Sequence, residues 1–179
     1  MKTPSRYENA KWEDVPKAIQ DAFEDMRKGG KGIYLHGGVG TGKTHICYAI
    51  AKHYNDEKTW RYLRLWNVVD LMHEIRADFD RSPYDKRRVD EELTNYEERE
   101  LRRVLILDDL GAERATDFVA ETLYRIINHR YVNQSPTIFT SNCTMQELAD
   151  KIGERSTSRI AEMCGIYELI GADRRLTKP

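Results

Sequence analysis

The run GGVGTGKT at residues 37–44 constrains this chain more than any other part of its sequence. It follows the apolar segment 32–36 and precedes residues 46–54, whose apolar side chains recur at helical spacing. The first amide N–H groups of a helix have no partner within the helix, and four glycines let the backbone in front of them curve round an anion. We therefore predict a strand, a phosphate-binding loop and a helix in this order, rather than a flexible glycine-rich turn.

Lys43 and Thr44, which end this run, indicate a bound nucleoside triphosphate with a metal ion. The pattern Gly-x-x-x-x-Gly-Lys-Thr is matched in full, so Lys43 is expected to reach the outer phosphates and Thr44 to offer its hydroxyl to Mg²⁺. The predicted cofactors are ATP or ADP with Mg²⁺, because the chain has no Asn-Lys-x-Asp motif for reading guanine. The residues expected to contact the nucleotide at this loop are Gly38, Val39, Gly40, Thr41, Gly42, Lys43, Thr44 and His45.

Length and composition exclude several classes of protein. With 179 residues, the chain is expected to form one domain large enough to bury a core. The formal net charge of −1 provides no overall basic field, so contact with nucleic acid is expected to be local and no membrane is expected as a partner. The three cysteines are far apart and predict neither a disulfide framework nor a zinc site. No signal or membrane-spanning segment is found, so the predicted location is cytoplasmic.

Strands and helices are expected to alternate along the chain, which predicts an α/β fold with a parallel sheet. Strands are predicted at 32–36, 60–66, 104–107, 137–140 and 166–170. Helices are predicted at 14–28, from the loop to 54, from 67, and at 116–130, 144–151 and 154–163. We expect an extended polar arm at 1–13, a single domain at 14–175 and a tail at 176–179. The charge-rich segment 80–102 is expected to form a loop and then a solvated helix.

Polar residues follow two of the predicted strands. Asp108 and Asp109 end a run of four apolar residues, 104–107, so that both carboxylates are expected at the carboxyl edge of the sheet. Asp108 is predicted to hold Mg²⁺, and Asp109 to orient or deprotonate an attacking water. Asn142 follows the next strand and is expected to contact the γ-phosphate or that water. The alternatives are a pair of helix N-cap residues for the acids and a turn-forming role for Asn142.

Two arginines, Arg155 and Arg159, are four residues apart in a predicted helix and therefore share a face. They are expected either to be solvated surface charges or to reach the nucleotide of a neighbouring subunit. In the second case an arginine stabilises the charge that develops in the transition state of phosphoryl transfer.

The motifs GGVGTGKT, LILDDLGAE, TSN and GERSTSRI, in this order, resemble the AAA+ domain of the DnaC/DnaI helicase-loader family. The resemblance covers roughly residues 3–175, and IstB transposition helpers share the same core. It implies a P-loop NTPase fold of AAA+ type, with a five-stranded parallel sheet flanked by helices. It also implies ATP hydrolysis, a homo-oligomer with ATP between subunits, weak contact with single-stranded DNA and a replicative helicase as partner.

Residue roles follow from the same resemblance. It makes Lys43 and Thr44 the Walker A residues, Asp108 and Asp109 the Walker B acids, and Asn142 the first sensor. It makes Arg159 the arginine finger, with Arg155 as second candidate. It also implies that Tyr7 lies beside the adenine, that residues 84–100 form the extra helix of the clade, and that Arg174 or Arg175 is the second sensor.

Three departures from the family pattern keep other functions open. Asp109 stands where AAA+ proteins usually have Glu, which is one methylene longer, so hydrolysis is expected to be slow. No helicase-binding domain is expected before the arm, and little or no C-terminal lid is expected after the last strand. The alternatives are an IstB-like ATPase that assists a transposase, or a nucleotide-binding regulatory module with weak hydrolysis.

Overall fold

A computed structural model describes residues 3–54, 63–81, 89, 93 and 104–173. Five parallel strands form one sheet in the spatial order β2-β3-β4-β1-β5. The strands are β1 Gly32–His36, β2 Leu63–Asn67, β3 Val104–Leu110, β4 Thr137–Ser141 and β5 Cys164–Glu168. The helices are α1 Lys17–Arg27, α2 Lys43–Tyr54, α3 Val68–Asp80, α4 Asp117–Val132, α5 Met145–Ile152 and α6 Glu154–Met163. The predicted α/β fold with a five-stranded parallel sheet is confirmed.

The sheet separates two hydrophobic layers, as the alternation of side chains along a strand requires. In β1, Ile33 and Leu35 join the cluster that α1 and α2 complete, whereas Tyr34 between them joins the opposite cluster with residues of α3, α4 and α6. Because both faces are covered, the inner strands β1, β3 and β4 are buried almost throughout, and their polar residues lie at or near the strand ends.

Local capping explains why the helices begin where they do. The Asn67 side chain accepts a hydrogen bond from the Val69 N–H at 3.0 Å and caps α3. Thr116 caps α4 in the same manner, and Thr144 with Glu147 forms a capping box at the start of α5. These helices start within one or two residues of their predicted positions because the caps are encoded locally.

The prediction of an extended arm at residues 1–13 is wrong for the part that the structure describes. Residues 3–14 contain two short 3₁₀ turns, Ser5–Tyr7 and Trp12–Asp14, and the second lies two residues before the start of α1. The Trp12 ring stacks on His53 of α2 at a centroid distance of 4.0 Å. The Lys52 ammonium donates hydrogen bonds to the backbone carbonyl oxygens of Glu8 and Ala10. Aromatic and main-chain contacts therefore fix this segment against α2.

Other boundaries differ by a few residues. The helix α1 begins at Lys17 rather than Asp14, because the 3₁₀ turn at 12–14 and the extended Pro16 precede it. The strand β5 begins two residues earlier than predicted, directly after α6. Most of the charged segment predicted as an extra helix lies outside the described residues, as do Arg174 and Arg175. Val89 and Leu93 are described from that segment, and both are buried in the core. Among the described residues, no helix is long and apolar enough to cross a bilayer.

Replacing Phe23 tests the hydrophobic packing of α1 against the sheet and α2. Its buried ring makes edge contacts with Trp12 and Tyr54. We expect Phe23→Ala to lower the free energy of unfolding by about 3–5 kcal/mol, as large-to-small changes in a core do. Phe79, which is 62% exposed, provides the control, and Phe79→Ala should cost less than about 1 kcal/mol. Urea denaturation measures both, and equal losses would contradict this packing.

Candidate nucleotide-binding site

The predicted phosphate-binding loop connects β1 to α2 at the carboxyl edge of the sheet. Gly40 and Gly42 have φ angles of 77° and 102°, a region that side chains other than glycine rarely adopt. The helix α2 begins at Lys43, so the loop ends at a helix start whose amide groups are available to an anion. The strand–loop–helix arrangement predicted for residues 32–54 is therefore present.

The Lys43 side chain lies inside this loop. It is only 7% exposed, and its ammonium donates hydrogen bonds to the carbonyl oxygens of Gly37 at 2.7 Å and Gly38 at 2.8 Å. The Thr41 hydroxyl donates to the same Gly38 carbonyl at 2.9 Å. The loop thus surrounds one buried positive charge, the group that a phosphate would require.

The chain that follows β5 crosses the phosphate-binding loop. The Leu169 N–H donates to the His36 carbonyl at 2.7 Å, which continues the pairing of β5 with β1. A Cβ atom on Gly37 would collide with the Leu169 carbonyl, and one on Gly40 would collide with the Asp173 carboxylate. Glycine is therefore required at position 37 for the close approach of the Leu169 backbone, whereas at position 40 it is required by the positive φ angle.

Asp108 connects the loop helix to the centre of the sheet. It lies near the end of β3 and is 3% exposed. Its Oδ2 accepts a hydrogen bond from the Thr44 hydroxyl at 3.0 Å, and its Oδ1 accepts one from the Thr140 hydroxyl at 2.6 Å. Burial raises the pKa of Asp108, and the hydrogen bonds from Thr140 and Thr44 oppose that rise. The structure thus brings together the two residues predicted to bind metal, Thr44 and Asp108.

Asp109 has an unusual backbone conformation. Its φ angle is 64°, in the left-handed region, and the pairing of β3 with β4 shifts register between Leu107 and Leu110. The Asn142 amide nitrogen donates a hydrogen bond to Asp109 Oδ1 at 3.0 Å. The second predicted acid and the predicted sensor are therefore in direct contact. Strained residues of this kind concentrate at functional sites.

Sequence reasoning missed Glu113 and Lys151, which hold the turn after β3. The Gly111 N–H donates to Glu113 Oε2 at 3.0 Å, and the Lys151 ammonium donates to the Gly111 carbonyl at 2.6 Å. Burial raises the pKa of Glu113. Glu113 belongs to the motif LILDDLGAE, which was the available signal, but the partner on α5 is supplied only by the fold.

The two arginines of α6 have different environments. The Arg159 guanidinium donates to Asn128 Oδ1 and to the Arg155 carbonyl, both at 2.9 Å, and it lies over the rings of Tyr124 and Tyr131. Arg155 is exposed. Arg159 is thus held between α4 and α6, whereas the Arg155 side chain extends from the first turn of α6.

Tyr7 and His45, the remaining predicted nucleotide contacts, both have partners within the chain. Tyr7 stacks on Tyr48 of α2, with ring centroids 4.5 Å apart. His45 Nε2 lies 2.9 Å from Asp14 Oδ2, and this contact lowers the pKa of Asp14. Both residues join the amino-terminal segment to the helix that follows the loop, and their contact with a nucleotide remains a prediction.

The donor set around Asp108 suits Mg²⁺. It consists of one carboxylate and the Thr44 hydroxyl, which are hard oxygen ligands. Within the described residues, no group of three or more His, Cys, Asp or Glu side chains could hold a metal ion by itself. Mg²⁺ is normally bound by one or two protein oxygens together with phosphates and waters. Thr44 and Asp108 therefore fit a Mg²⁺ ion that binds together with a nucleotide.

Comparison with known sequences gives a consistent assignment. The family described as IstB-like ATP binding protein matches residues 20–163. The phage-like element PBSX protein XkdC of Bacillus subtilis (strain 168) is 31% identical over 176 residues, which cover 88% of this chain and 61% of XkdC. The replicative helicase loader DnaI of the same strain is 33% identical over 120 residues, 66% of this chain and 35% of DnaI. The chain therefore spans less than two thirds of the length of these relatives.

A solved structure agrees with the fold. The crystal structure of the DnaC helicase loader superposes with a TM-score of 0.76 and 29% sequence identity, and it covers 93% of this chain and 100% of the crystallised one. The predicted AAA+ type of P-loop fold is thereby confirmed, as is the resemblance to the DnaC and DnaI helicase loaders. Since the family match spans most of the chain, this protein belongs to the IstB-like ATP-binding proteins, and its AAA+ domain is similar to that of the DnaC and DnaI helicase loaders.

Proposed function

We propose that this protein binds ATP with Mg²⁺ at the loop 37–44, hydrolyses it slowly, and acts in DNA replication as a loader of a replicative helicase. The observation that supports this most directly is the contact of Thr44 with Asp108, because it joins the loop helix to a buried carboxylate at the same edge of the sheet. In open α/β sheets, ligands bind at the carboxyl ends of the strands.

Each residue of the site has a role in this proposal. The Lys43 ammonium, which donates to two loop carbonyl oxygens, would donate to the outer phosphate oxygens instead. The backbone from Gly38 to Gly42 would surround the phosphates. Thr44 and Asp108 would hold Mg²⁺, which would neutralise part of the negative charge of the bound phosphates.

Asp109 and Asn142 are proposed to orient the attacking water as a pair. Their hydrogen bond of 3.0 Å fixes the Asp109 carboxylate, and the other carboxylate oxygen is then available to accept a proton from water. The Asp109 side chain is short and its backbone is in the left-handed conformation, so its carboxylate has little freedom to approach the γ-phosphate. This geometry supports slow rather than rapid hydrolysis.

Hydrolysis between subunits is proposed to need an arginine from a neighbouring copy in a homo-oligomer. Arg159 remains the first candidate, because Asn128 and the rings of Tyr124 and Tyr131 hold its guanidinium in one orientation before any partner arrives. Arg155, being exposed, is the second candidate.

The proposed partners are a replicative helicase and, weakly, single-stranded DNA, and the proposed location is the cytoplasm. The helicase is suggested by relatives that are named replicative helicase loaders. With a net charge of −1, few DNA phosphates can be neutralised at once, so binding should be weak and only shallowly dependent on salt. The family match to IstB-like proteins favours one alternative, an ATPase that assists a transposase.

Replacing Lys43 tests the nucleotide site. We expect Lys43→Ala to abolish detectable ATP binding, because charge-assisted hydrogen bonds of about 1.5–3 kcal/mol each are lost from the phosphates. Lys17, an exposed lysine paired with Asp21 on α1, provides the control, and Lys17→Ala should bind as the unmodified protein does. Fluorescence titration with a labelled ATP measures both affinities. Unchanged affinity of Lys43→Ala would exclude this loop as the phosphate site.

Mixing variants tests whether an arginine acts across a subunit boundary. Arg159→Ala should keep ATP binding but lower turnover by about tenfold or more, since the arginine acts mainly in the transition state. Mixed with Lys43→Ala, it should recover part of the ATPase activity, because some boundaries then pair an intact Arg159 with an intact loop. The recovery should grow with protein concentration.

The same mixture with Arg155→Ala identifies the arginine. The arginine that acts in trans is the one whose Ala variant binds ATP, hydrolyses it slowly by itself, and recovers ATPase activity when it is mixed with Lys43→Ala. If neither variant is complemented, and activity per chain does not depend on concentration, hydrolysis takes place within a single subunit.

Co-elution with the helicase tests the cellular role. We expect the untagged protein and the replicative helicase of the same host to elute together in size-exclusion chromatography with ATP and Mg²⁺, and the Lys43→Ala variant to associate less. Co-elution with a transposase of that host, and not with the helicase, would instead support the IstB-like alternative.

A further inference from the structure

Thr140 touches both acids of the proposed site with a single hydroxyl group. It is the fourth residue of β4 and is 1% exposed. Its Oγ1 lies 2.6 Å from Asp108 Oδ1 and 2.9 Å from the backbone nitrogen of Asp109. Thr140 is the first residue of the motif TSN, of which only Asn142 has been given a role above.

The direction of these two hydrogen bonds follows from the chemistry of the groups. A backbone N–H can only donate, so the Thr140 oxygen accepts from Asp109. An ionised carboxylate can only accept, so the Thr140 proton is directed at Asp108. The hydroxyl therefore has one favourable orientation, in which both of its hydrogen bonds are made at once.

The Asp109 N–H depends on this hydroxyl because the regular sheet pairing is interrupted there. Between Leu107 and Leu110 the register of β3 against β4 shifts, and the Asp109 N–H is bonded to a side chain of β4. Ser141, the next residue, acts similarly and donates to the Leu110 carbonyl at 2.6 Å. Two hydroxyls of β4 thus hold the irregular end of β3, and Thr140 is the one that touches the acids.

We infer that Thr140 is a positioning residue for the metal–nucleotide site. Its hydroxyl holds the Asp108 carboxylate so that Oδ2 lies nearest to Thr44, and it also fixes the backbone at Asp109. This inference rests on the proposed nucleotide function. Without the hydroxyl, Asp108 Oδ1 and the Asp109 N–H both lose a partner in a buried environment. The carboxylate then loses the shorter of its hydrogen bonds and keeps the one from Thr44, and the left-handed conformation of Asp109 loses the bond from its N–H to β4.

The test removes the hydroxyl and keeps the shape, by Thr140→Val. The nucleotide dissociation constant is measured with a labelled ADP in Mg²⁺ and again in EDTA, and the ratio of the two gives the enhancement by Mg²⁺. We expect this enhancement to fall about tenfold, corresponding to the loss of one hydrogen bond to a charged group. Affinity in EDTA should stay within about twofold of the unmodified protein, because the loop itself is unchanged.

Two further readouts separate positioning from simple stabilisation. At saturating Mg²⁺ and ATP, kcat should fall about tenfold, because the hydroxyl positions groups that act in the chemical step, and KM should rise in step with the weaker Mg²⁺-dependent affinity. Hydrogen exchange at the Asp109 amide should become faster than in the unmodified protein. Thr140→Ser, which keeps the hydroxyl, should restore the Mg²⁺ enhancement, kcat and the protection of the amide.

Thr137→Val provides the matched control. Thr137 is buried in the same strand, and its hydroxyl accepts from Arg130 Nε and donates to the Ser135 carbonyl, away from the acids. This variant should lose stability but keep the Mg²⁺ enhancement. If Thr140→Val does not fold, Thr140→Ala, which removes the hydroxyl without placing a new methyl against Asp108, is measured in its place.

The outcomes are distinguishable. If the hydroxyl-free variant keeps the Mg²⁺ enhancement and kcat of the unmodified protein, Thr140 serves only the fold and the inference is wrong. If Thr140→Ser is as impaired as Thr140→Val, the hydroxyl is not the cause and the inference is also wrong. If the unmodified protein binds nucleotide no better with Mg²⁺ than with EDTA, the proposed metal site itself is wrong and the inference falls with it.

Discussion

The buried carboxylate of Asp108 is the interaction on which the site depends. An ionised group 3% exposed is costly unless hydrogen bonds compensate it, and Thr44 and Thr140 provide them from two different elements. The carboxylate therefore connects three parts of the fold, namely the helix α2, the central strand β3 and the neighbouring strand β4. A ligand that drew Asp108 toward a metal ion would act on all three at once.

The second organising constraint is the crowding around the phosphate-binding loop. The backbone after β5 passes so close that Gly37 has no room for a side chain, and the Asp173 carboxylate lies against Gly40. On the other side of α2, the amino-terminal segment is fixed by stacked rings and by the contact of His45 with Asp14. Both ends of the described chain thus pack against the loop or its helix.

Features encoded by short spacings were predictable. The loop 37–44, the acids at the end of the central strand and the starts of α3 and α4 each follow from neighbouring residues, and the structure places them within one residue of the prediction. The amino-terminal arm was predicted wrongly, because its order comes from Tyr7 and Trp12 meeting rings of α2 far along the chain. Spacing within the arm contains no sign of those partners.

The sequence by itself determined the α/β class, the phosphate-binding loop and the identity of the residues proposed to act there, since periodicity and motif spacing are local properties. The tertiary structure decided how those residues are held. The hydrogen bond of Asn142 with Asp109, the two hydrogen bonds of Thr140 and the contacts of Arg159 with Asn128 and two tyrosines all join groups about thirty residues apart. Such pairs are selected by the order of strands in the sheet and by packing between helices, which no local pattern specifies.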